Sequence, residues 1–94
     1  MKSILQREAV CFVTGRRDNL HCHHVFFGSG KRKLSEKYGL KVYLVGELHN
    51  LSKEGVHFVR EFDTALKCFA QKKAMQYYGW STEDFIQIFG ENYI

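Results

Sequence analysis

The residues of this chain best suited to chemistry are its five histidines, at positions 21, 23, 24, 49 and 57. Neutral imidazole is a common metal ligand and accepts a proton near pH 7. His23 and His24 are adjacent and precede the apolar Val25, and His49 follows a second apolar segment. A lone histidine is more often a surface or core residue, but the adjacent pair together with His49 favours a functional site.

The spacing of these histidines indicates which of them could meet. Side chains alternate along a strand, so His21 and His23 would share one face and His24 would point to the other. Two strands laid against a helix could bring His23 and His49 to one cation. The twist of a strand that ends near Gly28 would then let His24 border the same pocket.

His57 is a further candidate ligand whose position the sequence leaves open. On an unbroken helix it would lie two turns from His49, about 12 Å along the axis, which is too far to share a metal ion. Gly55 could break the helix and return His57 to the site. In the alternative, His57 begins the long helix and has no metal role.

The chain that must position these residues has the length of one domain, residues 1–94. Apolar residues make up 45% and charged residues 26% of it, which is typical of a globular protein and not of a disordered one. Three widely spaced cysteines fit no disulfide framework, so we expect an intracellular, cytoplasmic location. We expect neither a signal peptide nor a membrane span, since no apolar run approaches the roughly 20 residues that a span needs.

Hydrophobic periodicity predicts the elements around the histidines. Strands are predicted over residues 8–14, 20–27 and 40–45. Residues 31–38 are predicted to form a short helix or an ordered loop, and residues 47–53 a short helix. We therefore predict an α/β (α+β) fold in which antiparallel strands and this last helix enclose the site.

Two further helices are predicted to pack against that core. The longest should cover residues 57–78, with one apolar face formed by Phe58, Phe62, Ala65, Leu66 and Phe69. The last should cover residues 83–89, with Ser81 or Thr82 as its N-terminal cap.

Three motifs give the chain a resemblance to a known family: Cys11-x-x-Thr14-Gly15, Leu20-x-x-His23-His24-Val25 and Leu44-x-x-x-Leu48-His49-Asn50. Together they resemble the motif of HNH nucleases, also called ββα-metal or His-Me finger endonucleases. The resemblance covers about residues 9–57 and leaves a helical part over about 57–94. Residues 31–45 and 83–94 are also similar to small phage-encoded proteins with HNH signatures.

The chain departs from the family motif at several positions. Thr14, Val45 and Leu48 stand where zinc-binding members carry cysteine, so a structural zinc held by four cysteines is excluded. We expect the apolar replacements to pack in the core instead. Leu40 lies near the expected place of the motif's asparagine. Lys53 occupies the position of a second helix ligand, which makes His57 its substitute.

The resemblance implies hydrolysis of DNA phosphodiester bonds with one divalent cation. His24 would be the general base that activates water, while His23 and His49, with His57 as third ligand, would hold the cation. The cation could be Mg²⁺, Mn²⁺, Zn²⁺, Ni²⁺ or Co²⁺.

The resemblance also implies that basic residues of this chain bind DNA. Lys31, Arg32, Lys33 and Lys41 would contact phosphates, although the same run taken alone would be an ordinary charged loop. The formal charge of +4 and the pI of about 9.1 are compatible with that partner. With no evident base-reading element, we expect low sequence specificity and a role in phage DNA recombination or processing.

Two alternatives belong to other functional classes. One is a metal-stabilised nucleic-acid-binding module without catalysis, in which the imidazoles form a closed structural site. The other is a phage accessory protein that binds a protein partner, or a second copy of itself, through its aromatic C-terminal helices. An open metal position would favour the enzyme, and a large exposed apolar patch would favour the accessory protein.

Overall fold

Two antiparallel strands form the sheet that carries the paired histidines. The computed structural model describes residues 2–50, 55–57 and 59–94. Strand β1 (Leu20–His24) pairs with β2 (Lys41–Val45), with His23 opposite Val42 and His24 opposite Lys41. The strands predicted over residues 20–27 and 40–45 are confirmed in their main part.

Strand β1 ends at His24 because the chain then bonds to a helix side chain. Helix α1 (Lys31–Tyr38) lies between the two strands in sequence. Its buried Ser35 accepts the N–H of Phe26 at 3.0 Å and donates its hydroxyl to the carbonyl of Phe26 at 2.7 Å. This pair satisfies backbone groups that a longer strand would have satisfied. Of the two forms expected for residues 31–38, the helix is the one observed.

Gly39 ends α1 where the N-terminal segment crosses close to it. Its φ of 72° is readily accessible only to glycine, and an added Cβ would lie 2.5 Å from the carbonyl oxygen of Lys2. Ile4 donates its N–H to the Gly39 carbonyl at 2.9 Å. The N-terminal segment is thereby fixed beside the start of β2.

The strand predicted over residues 8–14 is wrong, because this segment folds into turns. Gly15 donates its N–H to the carbonyl of Cys11 at 2.9 Å, and Cys11 donates its N–H to Arg16 at 2.7 Å. With a φ of 76°, Gly15 permits this reversal. The turn chemistry of Gly15 therefore overrides the β propensity of the residues before it.

Helix α2 (Gly46–His49) follows β2 directly and begins the predicted 47–53 helix. Residues 51–53 lie outside the described residues. Helix α3 (Arg60–Tyr78) starts three residues later than expected, so His57 precedes the helix. Within the described part of the chain, no helix is both long and apolar enough to cross a membrane.

The buried stripe of α3 differs from the predicted face. Leu66, Ala70 and Ala74 are buried at intervals of four residues, whereas Ala65 is exposed. Phe62 and Phe69 are partly buried, and Phe58 lies outside the described residues. Ala70 and Ala74 are fully buried, and their small side chains allow the helix to approach the core closely.

Helix α4 (Thr82–Phe89) closes the aromatic core, and Ser81 is its cap. The side chain of Ser81 accepts the N–H of Asp84 at 3.1 Å, and the Asp84 carboxylate accepts the N–H of Ser81 at 2.9 Å. Phe85 and Phe89 pack on Phe26, with ring centroids 5.4 and 4.7 Å apart. The mixed α+β class, with two C-terminal helices, is as predicted.

Candidate metal centre

Three histidines from separate segments converge beside the sheet. His23 comes from β1, His49 from α2, and His57 from the segment before α3. Each offers one ring nitrogen, and these three nitrogens lie within 4.8 Å of one another. The ring centroids of His49 and His57 are 4.7 Å apart, and that of His23 lies 5.2 and 5.0 Å from them. We call these three residues the histidine triad.

Local backbone bonds explain how His57 reaches the other two. Val56 donates its N–H to the Leu48 carbonyl at 2.6 Å, and His57 donates its N–H to the His49 carbonyl at 3.3 Å. Gly55 and Val56 are buried, so this return is packed into the core. Of the two positions left open for His57, the structure has the one in which the chain folds back to His49.

Burial favours the neutral form of two imidazoles of the triad. Burial, followed by the neighbouring His57 and His49, lowers the pKa of His23 from 6.5 to about 3. Burial, followed by His57 and His21, lowers the pKa of His49 to about 4. Both rings are therefore neutral at pH 7, and a neutral ring has a nitrogen lone pair that can bind a cation.

One buried nitrogen of the triad lacks a hydrogen bond. His23 is 1% exposed, and its Nε2 has no hydrogen-bond partner among the described residues. A buried polar atom without a partner is costly, and most such atoms in proteins are satisfied. A divalent cation bound by the triad would satisfy it, and imidazole donors suit Zn²⁺, Ni²⁺, Co²⁺ and Mn²⁺. The donor set therefore fits a transition-metal ion.

His21 is a member of the cluster that the sequence analysis left without a role. Its Nδ1 lies 3.1 Å from Nδ1 of His49, and the two rings meet edge to face. Strand alternation had placed His21 on the same face as His23. That signal was present in the sequence, but the contact also depends on where α2 begins.

His24 lies on the other face of β1, away from the triad. Its Nε2 is 2.8 Å from Oε1 of Glu36, whose Oε2 accepts a hydrogen bond from Nζ of Lys41 at 2.7 Å. Hydrogen bonds from Lys41 and then His24 hold the pKa of Glu36 far below its usual range. Since an ionised carboxylate can only accept, Nε2 of His24 must be its donor. In the neutral ring, Nδ1 then carries the lone pair.

A cavity of about 230 Å³ opens beside His24. It is lined by His24, Arg32, Lys33 and Glu36, and His23 is not among them. Nε of Arg32 lies 3.5 Å from Nδ1 of His24. The shared pocket expected for the two adjacent histidines is therefore not observed, because the strand keeps its alternation through His24.

The four basic residues proposed to contact DNA have different surroundings. Lys41 is bonded to Glu36, and Nζ of Lys31 lies 3.4 Å from the hydroxyl of Tyr93. Arg32 and Lys33 are exposed on the first turn of α1, which contains no acidic residue. These two are the members of the set best placed to meet an anion, since the helix dipole adds positive potential there.

Most of the positions where zinc-binding HNH nucleases carry cysteine hold residues that pack in the core of this protein. Cys11 and Val45 are 1% and 2% exposed, and Leu48 packs against the same core. Thr14 is exposed, but its N–H points at Sγ of Cys11 at 3.5 Å. The core packing expected of the apolar replacements, Val45 and Leu48, is confirmed.

No protein-family model, curated protein or solved structure matches this chain.

Proposed function

We propose that this protein is a metal-dependent DNA endonuclease of the HNH type. The observation that carries the proposal is the histidine triad, in which three ring nitrogens converge and the buried Nε2 of His23 has no partner among the described residues. Sites of this composition bind one divalent cation and can leave a coordination position open for substrate. The resemblance to HNH nucleases implies one ligand on a strand and one on a short helix after the next strand, and His23 on β1 and His49 on α2 have this placement, with α1 inserted between the two strands.

The triad residues would hold the cation through three neutral imidazole nitrogens. A divalent cation there would supply Lewis-acid stabilisation of charge on the scissile phosphate and leaving oxygen. The buried position of His23 would fix the ligand direction, because its ring has no room to turn within a close-packed core.

His24 would accept the proton of the attacking water at Nδ1. Glu36 supports this role by accepting the Nε2 proton, which fixes the tautomer in which Nδ1 is the basic nitrogen. Arg32 and Lys33 line the same cavity and would bind phosphate groups next to the reacting one. This mechanism requires the scissile phosphate to reach both the cation at the triad and Nδ1 of His24, which lie on opposite faces of β1.

The proposal includes the sequence specificity of the nuclease and its cellular location. Phosphate contacts from exposed side chains carry no sequence information, which supports low sequence specificity. The role in phage DNA recombination or processing rests on the sequence resemblance alone. The cysteines at positions 11, 22 and 68 are free, which suits the reducing interior of a cell.

The second candidate is a metal-stabilised nucleic-acid-binding module without catalysis. One observation favours it: His24, the proposed base, does not share a cavity with His23. Without a base beside the ion, the triad would serve as a structural metal site. DNA binding that depends on the cation, without any cleavage, would support this candidate.

Binding to a protein partner or a second copy through the C-terminal helices has weaker support. Tyr77 on α3 is 63% exposed and Ile86 on α4 is 37% exposed. Single exposed apolar residues are ordinary on soluble domains, whereas a docking surface needs a contiguous patch.

The decisive experiment is a nicking assay on supercoiled plasmid with Mg²⁺, Mn²⁺, Zn²⁺, Ni²⁺ or Co²⁺ added singly to chelator-treated protein. We expect nicking with at least one cation, loss of it with chelator, and a large loss in His24→Ala. Bound metal is measured in the same samples. Metal binding without nicking under any condition would reject the enzyme in favour of the second candidate.

A further inference from the structure

We propose that His21 is a positioning residue for the metal centre, which accepts the Nδ1 proton of His49 and so presents the Nε2 lone pair of His49 to the cation. This inference rests on the metal site of the proposed function. It assigns a role to a histidine outside the triad and defines the proton arrangement of the loaded site.

The argument starts from the two contacts of the His49 ring. Its Nδ1 lies 3.1 Å from Nδ1 of His21, and its Nε2 lies 3.1 Å from Nε2 of His57. A neutral imidazole has one N–H and one lone pair. His49 must therefore donate through one nitrogen and accept through the other, and only two arrangements are possible.

The two arrangements differ in whether His49 can bind a cation. The nitrogen that faces His57 lies on the side of the triad, so Nε2 is the ligand atom. If Nε2 carries the proton, no lone pair is directed at the cation. If Nδ1 carries it, the lone pair of Nε2 is free, and the Nδ1–H group points at His21.

His21 selects between these arrangements by the proton that it carries itself. A lone pair on Nδ1 of His21 requires that its own proton sit on Nε2, and it then stabilises the productive form of His49. Metal-bound histidines generally donate their second N–H to such an acceptor, and loss of the acceptor typically weakens metal binding. Both rings are only partly exposed, so water replaces this contact poorly.

The test is a Co²⁺ titration of chelator-treated protein, followed by the visible absorption of the bound ion. His21→Leu removes the acceptor, and we expect the affinity to fall by about 10- to 100-fold with one ion still bound. His21→Asn retains an acceptor oxygen near the place of Nδ1, and we expect it to recover most of the loss. Cys22→Ser, on the opposite face of the same strand, is the matched control and should bind as the unaltered protein does.

The nitrogen NMR spectrum of the Zn²⁺-loaded, unaltered protein gives a second readout that requires no variant. We expect His49 to be protonated at Nδ1 and bound at Nε2, and His21 to be protonated at Nε2 alone. A proton on Nδ1 of His21 in the loaded protein would overturn the proposal, even if His21→Leu failed to fold.

The remaining outcomes separate this proposal from the proposed function. If His21→Leu binds Co²⁺ as tightly as the unaltered protein, or if His21→Asn is as weak as His21→Leu, the positioning role is wrong and the metal site stands. If the absorption spectrum of His21→Leu shows one ligand fewer, His21 is itself a ligand and the positioning role is wrong. If the unaltered protein takes up no cation, the metal site of the proposed function fails as well.

Discussion

The two faces of β1 put the same side chain into opposite surroundings. On one face, His21 and His23 meet other imidazoles, and no ion pair joins them to an acidic residue among the described residues. On the other face, His24 is bonded to the carboxylate of Glu36, which is itself bonded to Lys41. Neighbouring histidines are therefore separated by strand alternation into a neutral cluster and a charged network.

This difference suggests a division of labour. Burial keeps the imidazoles of His23 and His49 unprotonated, which suits ligands for a cation. The charged network fixes one tautomer of His24, which suits a proton acceptor. The predictions that follow test whether the two faces are as distinct in function as they are in surroundings.

The largest expected effect is on cleavage by His24→Ala. Loss of a general base should reduce the nicking rate by about 10²- to 10⁴-fold, while Co²⁺ affinity remains unchanged because His24 lies outside the triad. His23→Ala should instead lose Co²⁺ binding. The two variants are compared by nicking rate and by metal titration on the same preparations.

The paired comparison can also reverse the assignment. If His24→Ala loses the metal and His23→Ala retains it, the two faces have exchanged roles. If neither change alters the nicking rate, the endonuclease proposal itself is wrong.

A smaller loss is expected when the partner of His24 is neutralised. Glu36→Gln keeps the shape of the side chain, but its amide no longer enforces a donor at Nε2 of His24. We expect the nicking rate to fall by about 10-fold, toward the lower end of what loss of an orienting partner costs. Metal affinity should not change.

The matched control for that change is Glu47→Gln, which removes an exposed carboxylate from α2. It should nick DNA at the rate of the unaltered protein. An equal loss in both variants would show that general charge, and not the contact with His24, sets the rate.

The sequence predicted the strands that carry the site better than the contacts between their side chains. Alternation correctly placed His21 and His23 on one face of β1, and the apolar run correctly predicted β2, because a period of two is a direct property of extended backbone. Alternation also separated His24 from His23, and the shared pocket expected from a twist near Gly28 was not observed. There, Ser35 takes over the backbone bonds of Phe26 and fixes the end of the strand.

The contacts that the sequence left undecided involve long-range geometry. The return of His57 depends on N–H bonds to Leu48 and His49, and the sequence could show only that Gly55 permits it. The sequence also did not select Glu36 as the partner of His24, because the two residues lie 12 positions apart. Its selection follows from α1, which the sequence left between a helix and a loop.

A third prediction concerns the pH dependence of stability in the metal-free protein. The pKa of His23 is about 3 in the folded protein and near 6.5 when unfolded, so the unfolded state binds more protons between these values. The contribution of His23 to the free energy of unfolding should therefore be greatest above about pH 6.5. It should fall as the pH drops, by up to about 1.4 kcal/mol per pH unit. Chemical denaturation in chelator at a series of pH values measures the slope.

The variant that sharpens this measurement is His23→Phe, which fills the buried position without a titratable group. Its free energy of unfolding should fall less steeply between about pH 6.5 and 5. Ordinary carboxyl groups titrate below this pH range and do not contribute to the difference. An unchanged slope would mean that burial of His23 does not distinguish the neutral face of β1 from the charged one.

The smallest effect is expected at the exposed basic residues beside His24. Arg32 and Lys33 are exposed, while Lys31 and Lys41 already have partners in Tyr93 and Glu36. Each phosphate contact contributes about 0.9 to the slope of log affinity against log salt concentration. The double variant Arg32→Ser with Lys33→Ser should therefore reduce that slope by about 2 for duplex DNA.

The control for the salt titration removes the same charge from a different surface. Lys72 and Lys73 are exposed on α3, and replacing both with serine should leave the slope as it is. Binding is measured in chelator so that cleavage does not interfere, and the unchanged helical spectrum of each variant confirms that α1 and α3 are intact. If the two double variants lower the slope equally, DNA is attracted by net charge alone. The cavity beside His24 is then not the place where the backbone of DNA is held. In that case the face of β1 that bears His24 does not bind the substrate.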